Sequence, residues 1–319
     1  MKKSLFVASL VAAALLMPGT KAQAQFGIGF NSPVDMNFSV FDNANGNGNT
    51  YNDVTDITRL TFSGAVASNH LGAGNATNGD AVHTVGGVVA TSYLTGPTNA
   101  YSPLIPPISG TGVGGGLSFL ELTATVDAMG VMFNVVDNNN FQVALTAVTV
   151  NFYVDNIDPA AAGTGNYNSG DASTWVDGTP VASFTLVPGT GIISFAGAGV
   201  AGSTEFGSVL TSDPVLGFLA GEITELVGNL LMYVTTDDEP LPPLPGEPGY
   251  PGTLPSNIDA VFPGFSNGWG TGIDVQAAID GSSTFEVVPE PSSFVLLSLG
   301  GVALVGVAAR RRRNAKKAA

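Results

Sequence analysis

Apolar and polar residues alternate at every second position in several stretches of this chain, and this alternation constrains its fold more than any other feature. It is clearest in residues 34–41, 117–126 and 181–187. A period of two places successive side chains on opposite faces of an extended strand. The 42 glycines and 20 prolines supply turns between many short strands. We therefore expect an all-β fold, an antiparallel β-sandwich of the jelly-roll or immunoglobulin-like type.

The alternation changes phase within residues 141–154. Apolar residues lie at odd positions up to Leu145 and at even positions from Val148 onward. Such a change near Thr146 predicts either a bulge or a strand that crosses between two sheets. The residues before it, 137–140, are Asp-Asn-Asn-Asn and predict a hairpin loop.

Two segments interrupt the strand pattern. In residues 213–231 apolar residues recur at helical spacing, so a helix is one interpretation, but three glycines weaken it and residues 230–235 fit a strand equally well. The proline-rich residues 240–255 predict an extended surface loop. We expect residues 284–288 to pair back into the main sheet, because a single strand cannot form a core. These segments then belong to one exported domain, residues 25–287.

Residues 1–24 have the three parts of a cleaved signal peptide. A basic start is followed by an apolar run, residues 5–17, that is too short to span a bilayer, and then by the small-x-small sequence Ala-Gln-Ala at 22–24. We expect the Sec export machinery to carry the chain across the membrane and cleavage to occur between Ala24 and Gln25. A retained anchor is the alternative, which the cleavage site disfavours.

The C-terminal residues 288–319 form three parts that directly follow one another. The first reads Val-Pro-Glu-Pro-Ser-Ser, and the second is an uncharged apolar run at 294–309. The third is a basic cluster, residues 310–317, that begins with Arg310, Arg311, Arg312 and Arg313. The apolar run spans about 24 Å as a helix, short of the roughly 30 Å hydrocarbon core, so it predicts a minimal transmembrane helix. The cations hold that end in the cytoplasm, which places the preceding chain outside the inner membrane.

This tail resembles the PEP-CTERM signal, the bacterial sorting tag that the membrane enzyme exosortase reads. The residues that carry the resemblance are Pro289, Glu290 and Pro291, together with the apolar run and the arginine cluster. The resemblance covers residues 288–319 only, and it does not extend to the preceding domain. The alternative interpretation is a plain stop-transfer anchor behind a proline-rich neck.

The resemblance implies a route and a destination for the chain. It implies export, an intermediate held in the inner membrane by the C-terminal helix, and processing by an exosortase-like enzyme. It further implies delivery to the cell surface or extracellular matrix, because proteins with this tail are associated with extracellular polysaccharide and biofilm formation.

The exported part of the chain is strongly acidic. All 25 acidic residues lie between Asp35 and Glu290. Arg59 is the only Lys or Arg in that span, so with neutral histidines this part carries about 24 net negative charges. Nucleic acid is therefore not expected as a partner, because phosphate binding needs clustered cations. The chain has no cysteine, which excludes disulfide bonds, thiol nucleophiles and thiolate metal sites.

Oxygen-rich loops are the candidate metal sites. Asp53 with Asp56, and Asp155 with Asp158, offer carboxylates at short spacing. Residues 43–48 imitate the opening of a calcium loop but lack its acidic first ligand, and the closing glutamate is missing too. Calcium is thus the one cofactor we consider. The alternative is ordinary turn chemistry, in which Asp and Asn stabilise tight loops.

No catalytic constellation stands out in the sequence. The two histidines, His70 and His83, match no metal-ligand spacing, and we expect them to be solvated loop residues. Trp175 and Trp269 lie in turn-like stretches, where each is either a sugar-stacking platform or a core anchor. The sequence therefore predicts a non-enzymatic exported surface or matrix protein. A calcium-assisted carbohydrate-binding module is the second interpretation, and a secreted glycoside hydrolase is the third.

Overall fold

The computed structural model of the chain describes fourteen separate stretches. They are residues 33–42, 51, 53–72, 74–95, 101–103, 119–138, 140–157, 167–196, 201–215, 218–220, 228–238, 254–267, 269 and 274–289. Most of these residues lie in β-strands, as the alternation predicts.

The strands are numbered in chain order. They are β1 (Val34–Met36), β2 (Val54–His70), β3 (Ala81–Thr95), β4 (Tyr101–Pro103), β5 (Phe119–Asp137), β6 (Asn140–Ile157), β7 (Thr179–Leu186), β8 (Ile192–Ala196), β9 (Ala201–Ser212), β10 (Leu219–Ala220), β11 (Gly228–Asp238) and β12 (Asp274–Pro289). Within the described stretches the helical elements are short: two 3-10 helices, Phe38–Phe41 and Ala172–Trp175, and the single-turn helix α1 (Ile258–Val261).

Eight strands close into an antiparallel barrel. They follow one another around the ring in the order β2-β3-β5-β6-β7-β9-β11-β12, and β12 pairs back with β2 over Asp274–Thr284. The expected β-sandwich is therefore wrong, because β2 is hydrogen-bonded on both sides, to β3 and to β12, and the ring has no break between two sheets. The all-β, antiparallel character of the prediction is confirmed.

One position on the ring is shared by two strands. β8 pairs with the first residues of β6 and β9, and β7 pairs with their last residues. β7 and β8 therefore act as one strand that is interrupted by residues 187–191. Gly191 is required there, because an added Cβ would lie 2.7 Å from the Cβ of Leu145.

Thr146 is the extra residue of a β-bulge in β6. Ala147 pairs with Met129 and Leu145 pairs with Gly130, so Thr146 has no residue opposite it and the apolar set moves from odd to even positions. This bulge confirms one of the two interpretations of the phase change. The hairpin loop at 137–140 is confirmed as well, since Asp137 pairs with Asn140.

The two segments that interrupt the sequence pattern contain strands. Leu219–Ala220 pairs with β1 and Gly228–Asp238 forms β11, so the helical interpretation of 213–231 is wrong wherever the structure describes that segment. Residues 284–288 belong to β12 and return to the main sheet between β11 and β2, as expected. The proline-rich loop lies outside the described residues except for its last two positions.

The interior of the barrel is the main apolar core. Inward-facing side chains from neighbouring strands, such as Leu60, Phe184 and Met232, are fully buried there. At the end of the ring where β2 begins, the buried rings of Phe38 and Phe218 pack edge to face with centroids 5.4 Å apart. Burial of this set, rather than any disulfide bond, stabilises the fold.

A second, smaller core lies outside the ring, on the outer face of β2, β3 and β5. Residues 167–178 and residues 254–267 with Trp269 cover this face, and together we call them the outer cap. Two backbone hydrogen bonds of 2.9 Å join its halves, one from Ala172 N to Ser256 O and one from Ser256 N to Gly170 O. The apolar side chains buried beneath it are Ala67, Val85, Ala172, Trp175, Ile258, Phe262 and Phe265.

Candidate functional site

The sorting tail begins inside the barrel wall. The last three residues of β12, from Val287 to Pro289, lie opposite Leu230, Asn229 and Gly228 of β11. Proline has no backbone N–H and cannot extend a ladder of hydrogen bonds, so the strand ends where the Pro-Glu-Pro motif begins. The structure therefore joins the barrel to the motif without a linker.

Strand direction distinguishes the two ends of the barrel. β12 ends, β11 begins and β2 begins at one end, which we call the sorting rim. The opposite rim carries the loop between β2 and β3 and the hairpin 137–140. The loop between β2 and β3 and the hairpin 137–140 are therefore separated from the sorting motif by the length of the strands.

Several predicted residues lie outside the part of the chain that the structure describes. They are Ala24, Gln25, Asp158, Glu290, Pro291, Arg310, Arg311, Arg312 and Arg313, together with the apolar run 294–309. Within the described stretches, no helix combines the length and the apolar character that crossing a membrane requires.

Trp175 is the anchor of the outer cap. Its side chain is 1% exposed and its Nε1 donates to Asn168 O at 2.9 Å. The indole lies over Gly87 of β3 so closely that an added Cβ would come within 2.1 Å of the ring. With Tyr167 stacked at 6.4 Å and Phe262 at 6.4 Å, the ring has no face open to a sugar. Of the two alternatives, Trp175 is therefore the core anchor.

Trp269 lies at the edge of the same cap. It is partly buried, and its ring packs against Phe265 at 5.8 Å. The two tryptophans that the sequence left as equal candidates thus differ in exposure. Trp269 is the one whose side chain still reaches the surface.

Glu121 is a half-buried carboxylate beneath the cap. Both of its oxygens accept the backbone N–H of Tyr167, at 2.8 and 3.1 Å. Burial raises the pKa of Glu121 from 4.5 to about 7, and the negative charges of Asp155 and Asp177 act in the same direction. The Tyr167 hydroxyl donates to Gly87 O at 2.6 Å, so this tyrosine joins Glu121 of β5 to the backbone of β3.

His70 is buried at the end of β2, and the expectation of a solvated loop histidine is wrong for it. Its Nε2 lies 2.9 Å from Asp80 Oδ2, which also accepts the Thr77 N–H at 2.8 Å. The hydrogen bonds from His70 and Thr77 lower the pKa of Asp80. This pair ties the loop between β2 and β3 to the end of the barrel.

His83 also lies in a strand rather than in a loop. Its Nε2 is 2.8 Å from Asp127 Oδ1 on the neighbouring strand β5, and its ring packs edge to face on Phe265 of the cap at 5.1 Å. Its side chain keeps some exposure to solvent. Both histidines thus have a carboxylate partner, and they lie on different faces of the wall.

The three predicted calcium carboxylates that the structure describes, Asp53, Asp56 and Asp155, each make other contacts. Both oxygens of Asp53 accept hydrogen bonds from Ser39, and Asp155 lies opposite Glu121 in the pairing of β5 with β6. Asp56 has a positive φ of 59° and donates its N–H to Asp35 Oδ1 at 2.9 Å, a turn-like role. Among the described residues, no three side chains of the His, Asp or Glu type gather closely enough to hold a metal ion. Calcium binding stays a prediction.

The comparisons with known proteins decide the nature of the tail. Residues 287–313 match the family model described as the PEP-CTERM protein-sorting motif. The tail is a PEP-CTERM sorting motif. The chain is therefore an exported protein that an exosortase processes and that is anchored in the membrane before processing. Comparison with the curated proteins and with the solved structures gave no match to the chain, so the comparisons identify the motif alone.

Sequence reasoning missed the groups beneath the cap. Glu121 lies in a run of apolar and β-branched residues, and a lone carboxylate in such a strand was the available signal. The cap itself was missed because Ile258, Phe262 and Phe265 follow a helical spacing in a segment rich in glycine and proline.

Proposed function

We propose that the barrel is a non-catalytic exported domain that the PEP-CTERM tail delivers to the cell surface or extracellular matrix, where it associates with extracellular polysaccharide. The observation that carries the proposal is the direct continuation of β12 into the motif at Pro289. Cleavage beyond Pro289 leaves all eight barrel strands intact, so processing releases a complete folded domain.

The short distance between barrel and membrane supports a delivery role. Only residues 290–293 separate the end of β12 from the apolar run, and four extended residues reach about 14 Å at most. Before processing, the sorting rim is therefore held close to the membrane surface, while the opposite rim faces away from it. An exosortase that lies in the membrane meets the motif at this rim.

The limited access to some polar side chains supports a non-catalytic role. His70 is fully buried at the end of β2, and Glu121 is half-buried with both carboxylate oxygens bonded to the backbone N–H of Tyr167. A general acid or base must reach a substrate within hydrogen-bond distance, and fully buried His70 has no such access.

Fractionation of cells that carry an exosortase tests the proposal. The chain is produced in full, and the barrel is followed by immunoblot in the inner-membrane, surface, polysaccharide and medium fractions. We expect the processed barrel in the polysaccharide fraction, and digestion of the polysaccharide should release it. Addition of EDTA in a parallel sample tests whether calcium assists the association.

A matched variant separates sorting from binding. The Glu290→Ala, Pro291→Ala double variant keeps the barrel and the anchor but alters the motif, so it should stay in the inner membrane at full length. Processed barrel that washes into the medium with no retention by polysaccharide would contradict the matrix role and leave the sorting role standing.

A further inference from the structure

The side chains inside the barrel do not fill it completely. They leave a cavity of about 70 Å³ inside the ring, lined by residues from seven of the eight barrel strands and, in place of β7, from β8. Of the 24 lining residues that the structure describes, 18 are apolar and none is charged, so this wall disfavours ions. An eight-stranded barrel is just wide enough to be filled by side chains or to hold one small ligand.

One polar atom in the cavity wall has no partner. Ser283 of β12 is 1% exposed, and its Oγ makes no hydrogen bond. The residue lies between Leu60 of β2 and Val234 of β11, which are both inward-facing wall residues, so its hydroxyl points into the same apolar space. A buried hydroxyl without a partner is costly, and native proteins pair nearly all such groups.

The other hydroxyls of the wall differ from Ser283. Ser68 and Thr84 bond to each other at 2.8 Å, and Thr123 donates to Trp175 O at 3.1 Å on the cap side. Thr236 accepts the N–H of Thr204 at 3.1 Å. Of the described wall residues, Ser283 is the one with a fully buried hydroxyl that has no hydrogen-bond partner.

We propose that the barrel interior binds a short-chain alcohol, with the alkyl part in the apolar cavity and the hydroxyl paired with Ser283 Oγ. The size supports this class, because the cavity is about half the roughly 150 Å³ that holds a benzene ring in an apolar protein cavity. The absence of charged groups from the wall excludes carboxylates, phosphates and amines. This site is independent of the sorting function.

The ends of the barrel determine how a ligand exchanges. Phe38 and Phe218 are fully buried at the sorting rim, and at the opposite rim Gly79 and Asp80 bond to the backbone of Met132 at 2.9 and 2.8 Å. A bound alcohol is therefore shielded from solvent and exchanges through local opening of the barrel, which predicts slow exchange.

Methyl NMR on the processed protein, recovered from the cell surface without detergent, tests the site. The Met232 methyl is the reporter, because this side chain is fully buried and lines the cavity. The probes are xenon, which is purely apolar, and ethanol, which has half as many heavy atoms as benzene and so suits a cavity of about 70 Å³. We expect both to shift the Met232 resonance in a saturable manner.

Two variants identify the binding groups. Ser283→Ala should weaken ethanol binding about fivefold, the effect of one lost hydrogen bond, and leave xenon binding unchanged. Ala124→Leu adds side-chain volume to the wall and should abolish the binding of both probes; if it fails to fold, Ala128→Val provides the same test with a smaller addition.

The proposal is overturned if neither probe gives a saturable shift, or if Ala124→Leu binds both probes as well as the natural sequence does. Equal ethanol affinity in the Ser283→Ala variant would overturn the assigned hydrogen bond. Ordered water that fills the cavity and is not displaced by either probe would also contradict it.

Discussion

Pro289 lies opposite Gly228 at the end of the pairing between the last two barrel strands, and the same proline is the first residue of the Pro-Glu-Pro motif. Residues 287–289 therefore belong both to the barrel wall and to the sorting motif. A processing enzyme that needs these residues in extended, unpaired form must first separate them from β11. Folding of the barrel and processing of the tail are thus coupled at three residues.

A linker placed before Val287 should accelerate processing. Insertion of an eight-residue Gly-Ser linker between Glu286 and Val287 keeps the whole matched segment but removes its last three residues from the sheet. Because the motif no longer has to fray from β11, we expect cleavage to become several times faster in a pulse-chase immunoblot. The same linker placed in the hairpin 137–140, at the opposite rim, is the control and should leave the rate unchanged. An unchanged rate with the first insertion would mean that strand pairing does not limit access.

Trp175 and Trp269 should differ in their contribution to stability. Trp175→Ala removes a buried anchor of the cap and should lower the free energy of unfolding by about 3 to 5 kcal/mol. Trp269→Ala removes a partly buried ring and should cost about 1 kcal/mol. Urea denaturation of the two variants measures both values. Equal losses would show that the cap does not depend on Trp175.

Two buried serines offer a matched test of hydrogen bonding. Ser208 is 0% exposed and its Oγ donates to Met232 O at 3.1 Å, whereas Ser283 is 1% exposed without a partner. Ser208→Ala should therefore destabilise the barrel by about 1 kcal/mol, and Ser283→Ala should stabilise it by a similar amount. Thermal melting distinguishes the two signs. A loss of stability with Ser283→Ala would mean that its hydroxyl is already paired.

The stability of the barrel should fall as the pH rises from about 4.5 to 7. Burial raises the pKa of Glu121 to about 7 in the folded chain, so the folded state holds the proton over a range in which the unfolded chain has lost it. The stabilisation that comes from protonated Glu121 is fully present below pH 4.5. It is lost as the pH rises through about 7. Glu121→Gln should flatten this part of the pH profile of the melting temperature. Both proteins carry the same histidines, so the difference between their profiles isolates Glu121.

Below this range the slope should reverse. Hydrogen bonds lower the pKa values of Asp80, Asp171 and Asp259 below their ordinary 3.8, chiefly from His70, Ser173 and Ser266 respectively. The three ionised carboxylates therefore stabilise the folded state fully above pH 3.8. This stabilisation is lost as the pH falls through their lowered pKa values.

Local features of the fold could be predicted from the sequence, whereas the closure of the sheet into a barrel could not. The phase change near Thr146 corresponds to the bulge in β6, and residues 284–288 return to the sheet as expected. Alternation of inward and outward residues is the same in a sandwich and in a barrel, so it could not distinguish them. The deciding contact, β12 with β2, joins strands that are about 210 residues apart along the chain, and no local pattern encodes it.

The candidate sites show the same difference between features set by neighbouring residues and features set by long-range contacts. The sorting motif depends on contiguous residues, so Pro289, Glu290 and Pro291 could be recognised from the sequence. The pair His83 with Asp127 depends on the register of β3 against β5, and the pair His70 with Asp80 depends on how the loop between β2 and β3 folds back. No local pattern indicates either contact.

The C-terminal mass of the processed protein tests the central claim most directly. Intact-mass spectrometry of the protein recovered from the cell surface gives the position of the cut. If the barrel is released as a complete domain, its last residue lies between Pro289 and Ser293, and β12 is retained in full. A cut before Val287, or a surface protein that still ends at Ala319, would contradict the account.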